Sequence, residues 1–90
     1  PNNAGVAAQL GIAHADMGHY ADAMRHLGIA ATLQPNVAQH TYNMAIIADR
    51  NGDTKTAIRS YEKALEIDAV HSGGRSIPRE SVYDRLSTLR

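Results

Sequence analysis

Five side chains that carry protons or bind metals fall within the thirteen residues HADMGHYADAMRH: His14, Asp16, His19, Asp22 and His26. Imidazole nitrogens and carboxylate oxygens are ligands for zinc-like ions and partners in proton transfer near neutral pH. The segment therefore spells a metal site or a proton relay, provided that the side chains converge. Whether they do depends on the elements that carry them.

Ninety residues bound those elements to a single small domain. A globule of this size hides only about 60% of the surface of its unfolded chain, which places function on a surface rather than in a large cavity. Nine Lys and Arg balance nine Asp and Glu. The C-terminal residues 70–90 carry Arg75, Arg79, Arg85 and Arg90 against Glu80 and Asp84, a mild excess that reads as a solvated face and not as a nucleic-acid footprint. Cysteine is absent, which excludes disulfides and thiolate ligands. No apolar run approaches the length of a membrane span. No signal-like segment is present, so the compartment stays open between the cytoplasm, a bacterial periplasm and a membrane tether through a missing N-terminus.

Internal repetition decides the fold. A shift of thirty-four residues lays Pro1 on Pro35, Asn2 on Asn36, Ala4 on Ala38, Ile12 on Ile46, Gly18 on Gly52, Ala23 on Ala57, Arg25 on Arg59 and Ala30 on Ala64. Leu10 falls on Met44, Leu27 on Tyr61 and Leu33 on Ile67, so apolar positions stay apolar. Within the second unit Ala57, Ile58, Tyr61, Ala64 and Leu65 follow the spacing of one buried helix face, with Arg59, Glu62, Lys63 and Glu66 opposite. Gly18 and Gly52 mark tight turns midway through each unit. The pattern predicts helices over Ala4 to Met17, Tyr20 to Leu33, Ala38 to Arg50 and Thr54 to Ile67, with Asp53 as an N-cap.

A thirty-four-residue helix–turn–helix period with small residues at the crossings resembles the tetratricopeptide repeat (TPR) family. The matching residues are Leu10-Gly11, Gly18, Tyr20, Ala23, Leu27, Ala30 and Pro35, then Met44-Ala45, Gly52, Ala57, Tyr61, Ala64 and the closing YEKALEIDA. The resemblance implies an all-α solenoid of antiparallel helix pairs, about five helices in one domain: repeat 1 over 1–35, repeat 2 over 36–69, a loop over 70–77 and a capping helix over 78–90. Gly11, Ala23, Ala30, Ala45, Ala57 and Ala64 should let helix axes approach, with Leu27, Leu33, Tyr61 and Ile67 filling the gaps. Ala7, Thr41, His14 and Ala48 replace frequent aromatics, which lightens the packing. Because Pro1-Asn2 repeats Pro35-Asn36, further helical repeats are expected upstream of a fragment.

After Ala69 the register breaks at Gly73-Gly74, where a loop is expected. Pro78 then suits a first helical turn, and Val82, Leu86 and Leu89 recur at helical spacing beside Tyr83. The final helix, about Arg79 to Leu89, should lay that stripe on the preceding repeat and leave Arg79, Arg85 and Arg90 toward solvent. A docking helix for another protein is the alternative. The stretch GGRSIPRESVYDRLSTLR also looks like the ends of short bacterial TPR proteins linked to pilus or secretion-system assembly.

The resemblance implies a non-catalytic scaffold whose concave groove, lined by the first helix of each pair, binds a peptide or helix of a protein partner. The groove residues it implies are Gln9, Ile12 and Asp16 with Gln39, Tyr42, Asn43, Ile46 and Arg50. Asn43 matches the clamp by which some members grip a chaperone's C-terminal carboxylate, but Ala8 and Ile12 stand where that clamp needs polar groups, which argues against such tails. Self-assembly through an exposed edge near Pro1 is the alternative. No nucleophile elbow, phosphate loop, HExxH pair or Cys–His couple is present, so no catalytic residue, cofactor, nucleic-acid partner or membrane span is expected.

On these helices the opening cluster divides. His14 and Asp16 are about 200° apart around one helix and point to different places. His14 is read as a packed, hydrogen-bonded core histidine and Asp16 as a groove residue. His19, Asp22 and His26 share one face of the next helix and suit only weak zinc or nickel binding without a fixed fourth ligand. No metal site is assigned.

Overall fold

Gly18 and Gly52, both at φ 78°, close three-residue turns in a backbone region that side chains with a Cβ rarely adopt. Those turns join helices into antiparallel pairs: α1 (Ala4–Asp16) with α2 (Tyr20–Leu33), and α3 (Ala38–Arg50) with α4 (Thr54–Ser72). A fifth helix, α5 (Arg79–Leu89), follows. The computed structural model describes residues 3–90, so the repetition of Pro1-Asn2 lies outside the described residues. Each helix packs on the next in the chain and α1 also meets α3, giving an all-α solenoid of helix pairs.

Local chemistry sets the helix ends. Asn3 accepts from the Val6 N–H at 3.0 Å and Asp53 from the Thr56 N–H at 3.2 Å, each satisfying a donor in a first turn. The expected end of the fourth helix at Ile67 and the loop from residue 70 need correction. Ala69, Val70, His71 and Ser72 contain no helix breaker, and α4 runs on until Gly73 takes a left-handed C-cap and the Gly74 N–H closes on the Asp68 carbonyl at 3.0 Å. The loop occupies residues 73–78.

Small residues let the helices approach. Ala23, Ala30, Ala45, Ala57 and Ala64 are fully buried at the crossings. Gly11 meets Leu27 so closely that a Cβ there would lie 2.7 Å from Leu27 Cγ and 3.1 Å from the Ala23 carbonyl oxygen. Leu27, Tyr61 and Ile67 fill the interfaces as expected, but Leu33 does not: it is 39% exposed. It falls one turn after Ile29 on α2, and no following element covers that face among the described residues.

The larger core joins α3, α4 and α5 through Ala45, Ala57, Tyr61, Ile67, Ile77, Val82 and Leu86. Val82 and Leu86 are buried against their own chain, whereas Glu80, Ser81, Asp84, Ser87 and Thr88 make the outer side of α5 polar. Of the three arginines expected to face solvent, Arg85 and Arg90 are exposed and Arg79 is only partly so, and all three also join α5 to the helices before it. Arg79 pairs with Asp68, Arg85 with Asp49 and Arg90 with Glu62. Carboxylates on α3 and α4 lie within reach of α5 because the Gly73–Pro78 loop folds it back onto them.

Candidate functional site: a two-helix groove

Ile12 and Asp16 of α1 line one depression of about 200 Å³ with Asn43, Ile46 and Arg50 of α3, and Ala15 and Ile47 complete it. This juxtaposition follows from the repeat, since Ile12 and Ile46 are equivalent positions on successive first helices. The two isoleucines supply an apolar floor, and Asp16 and Arg50 supply opposite charges at the same turn of each helix. Those two make no ion pair with any partner among the described residues, so both charges face outward for use. Asn43 accepts from Gln39 Nε2 at 3.0 Å, which orients its amide.

The remaining sequence-derived groove residues lie elsewhere. Gln9 borders a neighbouring shallow depression with Asn3, Val6, Leu10 and Ala13. Gln39 is one turn before the depression and touches it only through Asn43. Tyr42 packs into the α3–α4–α5 core, its ring 6.3 Å from that of Tyr61 and tilted by 54°. The spacing within α3 reads an aromatic at that register as groove-facing, and it carries no sign of the contact with Tyr61 of α4.

Asp68 escaped sequence reasoning. It is fully buried and accepts at Oδ1 from the Ser76 N–H, at 2.7 Å, and from the Ser76 hydroxyl. Arg79 Nη1 donates to Oδ2 at 2.6 Å and to the Leu65 carbonyl at 3.2 Å. Burial by itself raises the Asp68 pKa, but the bonds from Ser76 and Arg79 outweigh it and hold the carboxyl below the ordinary carboxylate value. The signal was present: Asp68 continues the buried stripe of Tyr61, Ala64 and Leu65 at helical spacing, and an acid in that register needs a buried partner.

The histidine segment also departs from its reading. Asp16 does turn into the groove. His14, however, is only partly buried, and its ring lies 5.2 Å from that of His26 at an interplanar angle of 5° and 5.8 Å from that of His19. Its Nδ1 is buried without a hydrogen-bond partner, so the hydrogen-bonded core histidine is corrected. The cause is the short turn at Gly18, which folds the start of α2 back beside the end of α1.

Residues 42–71, spanning most of α3 and nearly all of α4, match the family model described as tetratricopeptide repeat. Those residues are similar to a tetratricopeptide repeat. Tetratricopeptide repeats generally mediate protein–protein interaction and are typically non-catalytic. No curated protein matches the chain at a significant level. No described helix is long and apolar enough to cross a membrane. The groove residues Asn43, Ile46 and Arg50 fall inside the matched tetratricopeptide repeat, and Ile12 and Asp16 lie on the preceding helix pair.

Proposed function

We propose that the chain is a non-catalytic interaction scaffold that takes an extended peptide or a helix of a protein partner between α1 and α3. The observation that carries this reading is the convergence of Ile12, Asp16, Asn43, Ile46 and Arg50 on one open depression with an apolar floor. The floor accepts an apolar side chain, and the outlying Asp16 and Arg50 select a ligand with a charge of each sign at matching spacing. On this reading α1 and α2 are a second repeat and α5 is the cap that covers the apolar end of α3 and α4.

Peptides selected from a random display library on the intact chain test the proposal. Ile46→Asp and Arg50→Glu weaken the selected peptides at least about tenfold while the circular dichroism spectrum stays unchanged, given that a few central residues dominate an interface. Peptides that bind both variants as well as the parent chain overturn the groove assignment.

A second reading is self-association, favoured by a different surface. Val6, Leu10 and Ile29 line an apolar depression of about 300 Å³ between α1 and α2, and each is at least 39% exposed. Leu33 extends that face along α2. Light scattering across a range of concentrations separates the readings: a mass that rises and then reverts in Leu10→Asp supports assembly, and a constant mass excludes it.

A further inference from the structure

His14, His19 and Asp22 each present a ligand atom, and these atoms lie within 4.8 Å of one another. The ligands come from both sides of the Gly18 turn: His14 from the last turn of α1, His19 just before α2 and Asp22 from the first turn of α2. Tetrahedral zinc sets its ligands about 2.0–2.2 Å from the metal, which puts them a little over 3 Å apart. A contraction of roughly an ångström per side chain closes the site. His19 is exposed and the Asp22 side chain is 50% exposed, so both are free to make that adjustment.

A second observation points to a ligand. His14 Nδ1 is buried and unpartnered, so the ring that would anchor the site lacks the hydrogen bond that a merely structural histidine acquires. The ring is instead held by its neighbours, parallel to His26 and tilted against His19.

We propose that His14, His19 and Asp22 form a binding site for one divalent transition ion of the zinc class, with the fourth position left to water. Two imidazoles and one carboxylate suit such ions and lack the six or more oxygens that calcium requires. The local field sharpens this choice. The positive end of α2 and the Arg25 guanidinium, 3.4 Å from Asp22, both oppose a cation held by charge alone. An ion that bonds imidazole nitrogen tolerates that field, and magnesium does not. Arg25 also donates toward His26 Nε2 at 3.4 Å, which keeps His26 beside the site as a wall and not as a ligand. This groove-independent site would clamp the turn between α1 and α2.

Zinc chloride titrated into the untagged chain tests the site by calorimetry, with cobalt(II) absorbance reporting a tetrahedral geometry. One ion binds per chain, and His19→Ala and Asp22→Asn each weaken it at least about tenfold, as loss of a ligand should. Both positions are exposed, and unchanged helicity keeps the comparison valid should His14→Ala prove unstable. Arg25→Gln tightens binding by removing the opposing charge, whereas His71→Ala, at the far end of α4, changes nothing. Absence of saturable zinc uptake up to about 1 mM, or uptake that survives the His19→Ala, Asp22→Asn double variant, overturns the proposal.

Discussion

Arg85 grips Asp49 with both prongs of its guanidinium across thirty-six residues of chain: Nε donates to Oδ2 at 2.6 Å and Nη2 to Oδ1 at 2.7 Å. The Tyr61 hydroxyl donates to the same carboxylate at 3.1 Å. Asp49 thereby joins α3, α4 and α5 at one point. The Arg85 bond holds the Asp49 carboxyl below its ordinary value against an opposing effect of burial, with Tyr61 assisting.

Arg85→Ala leaves Asp49 with only Tyr61 and loosens α5. Amide exchange in Arg79–Leu89 accelerates while α1 and α2 keep their protection, because local opening tracks local contacts. Arg85→Lys recovers part of the loss at most, since an ammonium supplies charge without the two-pronged geometry. Uniform acceleration across all five helices would contradict this role.

Gly11→Ala removes a helix-weakening glycine, a gain of about 1 kcal/mol by propensity. The added methyl nevertheless meets Leu27 and the Ala23 backbone at 2.7 and 3.1 Å. Overpacking dominates, for a net loss of about 1–3 kcal/mol in urea unfolding. Ala57→Leu, at a fully buried crossing, should fall in the same range.

Asp68→Asn keeps the size of the buried side chain but removes the charge that Arg79 faces. Arg79 then leaves its place near Leu65, and the 73–78 loop loosens. The double variant Asp68→Asn, Arg79→Met recovers stability relative to Asp68→Asn alone, since an unpaired partner is worse than none. Thermal melts of the four proteins in that cycle check the coupling.

Stability falls at both extremes of pH. His40, buried with its Nε2 2.7 Å from Gln34 Oε1, titrates below 6.5 because burial disfavours its charged form. The unfolded chain takes up that proton first, so stability begins to fall as pH drops below about 6.5. Asp49 and Asp68 titrate below the ordinary carboxylate value, and their contribution, present above about pH 4, is lost as pH falls through their folded values. Burial and the bond to Asp49 push Tyr61 up to about 12. Its neutral form stabilises the fold fully below pH 10, and that contribution is lost between roughly pH 10 and 12. Denaturation midpoints measured from pH 3 to 11, with His40→Gln and Tyr61→Phe as controls, test each limb.

The repeat made most of the fold legible. Gly18, Gly52, Asp53 and Pro78 announce helix boundaries by local chemistry, and the alanines at thirty-four-residue spacing announce the crossings. What stayed hidden was non-local. The Asp49–Arg85 pair depends on where α5 lands, and nothing in either residue's neighbourhood predicts it. The end of α4 was misread because the repeat period, not the residues 69–72, set the expectation. In the groove, Ile12, Asp16, Asn43, Ile46 and Arg50 could be grouped by register, whereas Tyr42 went astray through its contact with Tyr61. His14 was misplaced because helical angles apply within one helix, and its neighbours lie across a turn.

The exposed apolar side of α1 and α2 also shapes what two copies can build. One edge of the molecule, through Val6, Leu10, Ile29 and Leu33, is adhesive to apolar surface. Copies that meet through α1 and α2 meet like to like, and the edge is spent once they have done so. Two copies joined in this way close as a two-fold pair, the same patch facing itself across the axis.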